Sequence, residues 1–194
     1  MEAAIARGQG RSATGAALEN LTLEAIIAPN VAMVIDIETD RKANALQDLR
    51  YIITHNRGTV TPTSYLFQKK GRVSFEKDER NLGVDEVLEE AIEAGAEDVG
   101  TDEDGNIVVW TEPNKTKAAA EALGVSLGLK VQSSDIIWDA NEETKVHADS
   151  DDAVKALSDL VGALRDNPNV QGVYVNIAQG NTTDEVWAEL QDRL

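Results

Sequence analysis

Apolar side chains at every second position of residues 31–40 predict a buried strand. One face of this strand would carry Val31, Met33, Ile35 and Ile37. The Pro29-Asn30 pair just before it is typical of a turn. The Gly-rich residues 1–16 precede this strand, and they are interpreted as flexible or as the stub of a longer domain.

The apolar spacing then lengthens to that of a helix within residues 40–58. Thr39 or Asp40 suits the start of this helix, and Gly58 suits a left-handed residue at its end. One stripe of the helix is formed by Leu46, Leu49 and Ile53. The strand and the helix therefore begin a layered α/β arrangement.

Two more blocks follow. Residues 64–76 predict two short strands around a turn at Lys70-Gly71, which completes a β-α-β-β block. Residues 84–92 return to helical spacing, with Gly95 as the stop. Residues 106–111, 114–123 and 135–139 predict a strand, a helix capped by Asn114 and another strand. The second block is therefore α-β-α-β.

The clearest helical pattern lies within residues 150–170. Ser150 or Asp151 caps its start, and Asn167-Pro168-Asn169 ends it. Its apolar stripe consists of Val154, Leu157, Leu160, Val161 and Leu164. Residues 170–178 predict the last strand, and a short helix is expected around Trp187.

Short strands beside helices favour the α+β class, with each sheet covered on one face by helices. The first block lacks one helix and one strand of a ferredoxin-like layer, and residues 150–178 supply that pair. We therefore predict two small ferredoxin-like α/β sandwich domains, the second inserted into the first. The predicted boundaries are a stub at 1–16, a first domain at 17–77 plus 141–180, an inserted domain at 78–140 and a tail at 181–194.

Composition limits the classes of function. The 194 residues contain no cysteine, which excludes disulfides, thiolate metal sites and cysteine catalysis. No apolar run approaches the length of a transmembrane helix, so membrane insertion is not expected. The net charge is −17, yet residues 1–80 hold eleven Lys and Arg against ten Asp and Glu. Because the acidic remainder repels phosphate, any nucleic-acid contact is expected in the first half or in a segment that is not in this chain.

Sequence motifs that resemble enzyme or metal sites lack the neighbouring elements or residues that such sites need. GQGRSA at residues 8–13 matches a dinucleotide fingerprint but does not follow a strand. DEDG at residues 102–105 lacks the acids that a calcium loop needs at its first and last positions. His55 and His147 lie far apart, and no particular pair of carboxylates stands out. We expect no enzyme, no metal and no cofactor.

Basic and aromatic residues adjoin one another near the predicted hairpin. The best basic cluster, Lys69, Lys70 and Arg72, lies beside Tyr65, Phe67 and Phe75. Such a surface holds phosphates and stacks bases. The alternative is a hairpin with its aromatic residues in the core and its lysines in water. Lys42 and Arg50, with Arg41 and Arg57, lie on or beside the first long helix and extend the basic surface.

Four motifs together resemble the YebC/PmpR family, which includes the mitochondrial translational activators of cytochrome c oxidase subunit I. They are IARGQG at residues 5–10, SYLFQKKG at 64–71, EAGAEDV at 93–99 and VQGVYVN at 170–176. The resemblance spans residues 2–177. The chain starts near the end of the family's basic N-terminal helical domain, most of which is expected to be missing. It departs from the family pattern at Ala43 and Asn44, at Arg57 and at Val175.

The resemblance implies a non-enzymatic translation factor of the mitochondrial matrix that contacts the ribosome and its message. The alternative is a DNA-binding transcriptional regulator, which would be cytoplasmic in a bacterium. A small-molecule or catalytic protein would instead need a deep pocket with converging polar groups. Basic protein partners, such as ribosomal proteins, would suit the acidic half. Contacts to nucleic acid or ribosome are assigned to Lys42, Arg50, Lys69, Lys70 and Arg72.

Overall fold

The computed structural model describes residues 10, 12, 15–102 and 104–194. The chain divides into two compact units, residues 1–67 with 140–194 and residues 68–139. The predicted α+β class is confirmed, because each unit contains a four-stranded antiparallel sheet and helices. Most of the predicted stub and the whole GQGRSA motif except Gly10 and Ser12 lie outside the described residues. No helix of the described part is long and apolar enough to span a bilayer.

The described residues form ten strands and five α-helices. The strands are β1 (Glu19–Ile27), β2 (Val31–Thr39), β3 (Gly58–Val60), β4 (Phe67–Phe75), β5 (Ala96–Thr101), β6 (Ile107–Thr111), β7 (Val131–Ala140), β8 (Val146–His147), β9 (Val170–Val175) and β10 (Ile177–Ala178). The helices are α1 (Lys42–His55), α2 (Val84–Glu93), α3 (Thr116–Ser126), α4 (Asp151–Arg165) and α5 (Asp184–Arg193).

The sheet of the first unit has the strand order β3-β1-β2-β9, with every neighbouring pair antiparallel. The hairpin of β1 and β2 turns at a cis Ala28-Pro29 bond. Helices α1 and α4 bury their apolar stripes in the same core as this sheet. The predicted stripe of α4 is confirmed, since all five of its residues are buried. Strands β8 and β10 form a small parallel pair.

The C-terminal helix belongs to the first unit and is not a separate tail. Leu190 of α5 is fully buried in the core of that unit, and Val186 is buried with it. The Arg193 guanidinium donates to the Ser158 carbonyl oxygen of α4 at 3.0 Å. The short helix predicted around Trp187 is confirmed, but the boundary predicted at residue 181 has no counterpart in the packing.

Asn176 joins three segments of the first unit. Its buried side-chain oxygen accepts from the Ala32 N–H at 2.7 Å, and its amide nitrogen donates to the Thr144 carbonyl at 3.0 Å. Its own N–H donates to the Ala32 carbonyl. A buried amide with both ends satisfied stabilises one arrangement of these segments, because removing it leaves unpaired polar groups. The last residue of the VQGVYVN motif therefore has a structural role.

Two details predicted for the first long helix are wrong. Arg41 occupies the N-cap position of α1, and the Thr39 hydroxyl accepts from the Arg41 N–H at 3.0 Å. The left-handed residue at the helix end is Arg57, with φ of 63°, while Gly58 already begins β3. Glycine is needed there for space, since a Cβ on Gly58 would lie 2.6 Å from side-chain atoms of Ile27 and Ile53.

The second unit has the element order β4-α2-β5-β6-α3-β7, which is the βαββαβ order of a ferredoxin-like domain. Its strand order is β5-β6-β4-β7. Helices α2 and α3 cover an apolar face of the sheet that includes Val73, Phe75 and Val109, and Leu123 of α3 is buried in the same core. The predicted α2 and its stop are confirmed, with Gly95 at φ of 90°. Helix α3 has Lys115, not the predicted Asn114, at its N-cap position.

The predicted hairpin at residues 64–76 is wrong. A short 3-10 turn, Ser64–Leu66, leads into β4, which runs unbroken through Lys70-Gly71. Strand β4 pairs with β6, Gly71 standing opposite Thr111. Because this pairing places β4 in the sheet of the second unit, that unit begins at residue 68 and not at residue 78.

Candidate nucleic-acid interface

The five predicted contact residues divide between the two units. Lys42 and Arg50 lie on α1 of the first unit, where both are exposed. Lys69, Lys70 and Arg72 lie on β4 of the second unit. Since β4 is one continuous strand, Lys69 and Lys70 point to opposite faces of its sheet. The structure therefore does not form a single cluster from the three basic residues of β4.

Lys70 is held by a carboxylate. Its Nζ atom lies 2.7 Å from Oδ2 of Asp139 on the neighbouring strand β7. The hydrogen bond to Asp139 raises the pKa of Lys70 against the opposing effect of burial, and the charges of Asp139, Glu97 and Asp98 add to the rise. The ammonium is thus partly neutralised and has acidic neighbours, which leaves little positive potential for a phosphate at this position.

The other two basic residues of β4 lie beside tryptophans of the neighbouring strands. The Nζ atom of Lys69 lies 4.7 Å from the centroid of the Trp138 ring, a distance typical of a cation–π contact. Arg72 pairs in register with Trp110 of β6. Lys69 is exposed and Arg72 is half-buried, and among the described residues neither makes an ion pair.

The described residues of the DEDG segment, Asp102, Asp104 and Gly105, form a turn. The side-chain amide of Asn106 donates to Asp102 at 2.9 Å, and the backbone N–H groups of Asn106 and Asp104 donate to the same carboxylate. These hydrogen bonds, led by that of the Asn106 side chain, lower the pKa of Asp102 despite some desolvation, and the charge of Arg72 contributes. Among the described residues no group of three His, Asp or Glu is placed to hold a metal ion.

Helix α1 carries the clearer cationic surface. Arg41, Lys42 and Arg50 are exposed on or beside it, and Arg57 is exposed just beyond its end. Within the described part of the chain, none of these four side chains makes an ion pair, whereas Lys70, Arg80, Lys115, Lys130, Lys145 and Arg193 each do. We call these four residues the α1 cations. Their charge is available to a phosphate without first breaking a salt bridge.

The same helix exposes an aromatic pair that sequence reasoning did not assign. The rings of Tyr51 and His55 stack with their centroids 5.0 Å apart and their planes 28° from parallel. Tyr51 remains 63% exposed. The signal was present in the sequence as an i, i+4 spacing on the polar side of the predicted helix, because residues four apart are neighbours on a helix surface.

The histidines show no catalytic arrangement. His55 belongs to the aromatic pair, and His147 lies with its Nδ1 atom 3.4 Å from the Gln179 carbonyl oxygen. A small cleft beside His147 is lined mainly by apolar side chains, including Ile27, Pro29 and Leu157. Such a lining lacks the converging polar groups of a typical ligand or catalytic site.

Comparisons with known proteins agree on one family. Residues 18–177 match the sequence model described as "TACO1/YebC second and third domain". The chain is 35% identical over 195 residues to a "Probable transcriptional regulatory protein" of Francisella philomiragia, covering 98% of this chain and 73% of that protein. A protein of the same name from Nitrosococcus oceani is also 35% identical, over 193 residues, with the same coverage.

A solved structure has the same fold. It is the crystal structure of a conserved hypothetical protein from Aquifex aeolicus, which superposes with a TM-score of 0.71 at 25% sequence identity. The match covers 86% of this chain and 68% of that protein.

Proposed function

Because this chain belongs to the TACO1/YebC family, we propose that it is a non-enzymatic regulator of gene expression that contacts nucleic acid through the α1 cations. The relatives carry regulatory rather than enzymatic names, and those names place their action in transcription. Transcription is therefore the step that we propose first. A cytoplasmic setting in a bacterium goes with it, since these relatives are bacterial.

A role in translation is the second candidate. It was the first expectation from the resemblance, together with a mitochondrial matrix location, but the bacterial relatives give that location no support. One observation favours a translational role: the exposed Tyr51–His55 pair suits unpaired bases, which messenger RNA offers and duplex DNA does not. The ribosome and its message then remain the proposed partners, and basic ribosomal proteins suit the acidic residues beyond position 80.

The observation that carries the proposal is the local charge of α1. The whole chain has a net charge of −17, so a phosphate backbone is repelled by most of its surface. Arg41, Lys42, Arg50 and Arg57 are exposed and unpaired among the described residues, against two nearby acids, Asp40 and Asp48. Phosphate contacts supply most of the non-specific affinity for nucleic acid. Lys69 and Arg72 are proposed as additional contacts, and Lys70 as a weaker one because Asp139 holds it.

The test is a binding titration across a salt series. The parent chain and the variant Lys42→Ala/Arg50→Ala are titrated with an unstructured RNA and with a duplex DNA of equal charge. Lys155→Ala is the matched control, because Lys155 is also exposed on a helix of the first unit and makes no ion pair among the described residues. Affinity is measured between about 20 mM and about 200 mM salt, where phosphate contacts change binding most.

The double variant is expected to bind about tenfold to thirtyfold more weakly near 150 mM salt, since each lost phosphate contact lowers the salt slope by about 0.7 to 0.9. The control is expected to retain the parent's affinity and slope. Equal affinity and slope for the double variant and the parent would contradict the proposal. Preference of the parent for duplex over RNA, or the reverse, separates transcription from translation.

A further inference from the structure

The Tyr51–His55 pair is an exposed aromatic surface with an unusual placement. Both residues lie on the polar side of α1, away from the stripe of Ala45, Leu49 and Ile53 that enters the core. His55 covers part of the tyrosine ring, while Tyr51 is still 63% exposed. An aromatic ring that is not used in the core leaves a flat apolar face in water, and such a face is suited to stack on another planar group.

The neighbours of the pair have the chemistry that nucleobases require. On a helix, Gln47 and Asp48 lie one turn before Tyr51, and Asn44 lies one turn before Asp48. All three are exposed. Amide side chains both donate and accept hydrogen bonds, as the edges of bases do. Arg50 and Arg57 flank the aromatic pair along the sequence and would hold phosphates on either side of a stacked base.

Backbone conformation adds an independent observation at the end of this surface. Arg57 adopts the left-handed region with φ of 63°, which a residue with a Cβ rarely occupies. Strained residues of this kind cluster at functional sites. At position 57 a glycine would relieve the strain, so the arginine has some cost in stability. A cation next to the aromatic pair is a use that would offset this cost.

We infer that Tyr51 and His55 form a stacking site for an unpaired base of single-stranded nucleic acid, with the α1 cations holding the adjoining phosphates. This inference rests on the phosphate contact of the proposed function and, of its two candidates, specifies the single-stranded ligand that a translational role offers. In a duplex both faces of each base are occupied by its neighbours, so a ring on a convex helix surface reaches only the phosphates. In a single strand the base turns outward and stacks on the tyrosine ring.

The experiment separates the base from the phosphate. Oligothymidine and an abasic strand with the same number of phosphates are titrated with the parent chain and the variants Tyr51→Ala, Tyr51→Phe and Lys42→Ala/Arg50→Ala. A duplex of equal charge is the third ligand. Titrations are made at about 20 mM salt, where phosphate contacts are strongest. Circular dichroism of each variant confirms its fold.

Tyr51→Ala is expected to weaken binding of oligothymidine at least about fivefold, as loss of one base–aromatic stack does. The same variant is expected to bind the abasic strand and the duplex as the parent does, and Tyr51→Phe to bind all three within about twofold of the parent. The cation variant is expected to lose affinity for every ligand.

Two outcomes would overturn the inference alone. Either Tyr51→Ala binds oligothymidine as tightly as the parent, or it loses equal affinity for the abasic strand, while the cation variant still binds more weakly. In either case the phosphate contact of the proposed function stands and the base-stacking site does not. Failure of the parent chain to bind any of the three ligands would instead overturn both proposals.

Discussion

Gly71 leaves the space in which two threonine hydroxyls meet. The Oγ1 atoms of Thr111 and Thr116 lie 3.0 Å apart in a buried pair beside it. A Cβ built on Gly71 would lie 1.8 Å from the Thr116 hydroxyl and 2.4 Å from that of Thr111. Neither atom belongs to a long flexible side chain, so an added methyl group must push β4 away from α3.

Gly71→Ala is therefore expected to lower the free energy of unfolding by about 1 to 3 kcal/mol, as overpacking typically does. The measurement is urea unfolding followed by circular dichroism. Gly124→Ala, in α3, is the control, because the nearest atom outside that helix would lie 3.6 Å from the added Cβ. Alanine in a helix is favoured over glycine by up to about 1 kcal/mol. Equal midpoints for the two variants would count against this account of Gly71.

Glu24 supplies a pH-dependent part of the stability. Burial raises the pKa of its carboxyl, but the backbone N–H groups of Ser64 and Thr63 donate to Oε2 at 2.8 and 2.6 Å and lower the pKa further than burial raises it. The folded protein thus prefers the carboxylate. This contribution is fully present above the unfolded-state pKa of about 4.3 and is lost as the pH falls through the lower pKa of the folded state.

Glu24→Gln should reduce the free energy of unfolding at pH 7 by about 1 kcal/mol, because an amide oxygen accepts hydrogen bonds less strongly than a carboxylate. The difference from the parent should shrink as the pH falls below about 4. Unfolding free energies at pH 7, 5 and 3 test both statements, with Glu19→Gln, exposed on the same strand, as the control. A difference that stays constant across this range would refute the role of ionisation.

At the scale of elements, helices α1 to α5 were predictable because each has an apolar stripe at helical spacing. Strand β1 was missed although Leu21, Leu23, Ala25 and Ile27 alternate, so the signal existed and was overlooked. Strand β5 gave little signal, since its sequence AEDVGT is poor in β-formers and owes its conformation to pairing with β6. The Lys70-Gly71 pair suggested a turn, whereas the glycine serves close packing.

The candidate site was only partly predictable from the sequence. Exposed cations on α1 follow from the polar side of a helical pattern. The ion pair of Lys70 with Asp139 joins residues that are 69 positions apart, and no local pattern reports such a contact. Because β4 is one continuous strand, Lys69 and Lys70 lie on opposite faces of its sheet, which the predicted hairpin did not show. Sequence patterns thus find which charges exist, while tertiary pairing decides which of them remain available.

Helix α5 offers a test of the observed boundary of the first unit. Leu190 is fully buried between α5 and the rest of that core, so Leu190→Ala should cost about 2 to 5 kcal/mol of unfolding free energy. Gln191→Ala, one residue along and exposed, should change it by less than about 0.5 kcal/mol. Thermal or urea unfolding measures both. Two near-zero effects would support the separate tail that the sequence suggested.

At the scale of the whole molecule, the charge of −17 sets the strength of nucleic-acid binding. The α1 cations attract phosphate locally, but the field of the remaining acids opposes any long polyanion. This chain by itself should therefore bind unstructured RNA with a dissociation constant above about 1 μM at physiological salt. Fluorescence anisotropy with a labelled RNA measures it. Sub-micromolar affinity would mean that the acidic surface does not control binding.

The order of the two units along the chain decides which of them can complete its contacts first during synthesis. Residues 68–139 are contiguous and include all four strands of their sheet, so that unit has its full complement of contacts early. The first unit does not: β2 leaves the ribosome long before β9, its neighbour in the sheet, which starts at Val170. Closing so long a loop is slow, and apolar strands that wait for their partners are prone to aggregate. Growing chains of this protein should therefore need protection of the β1–β2 hairpin until their last third emerges.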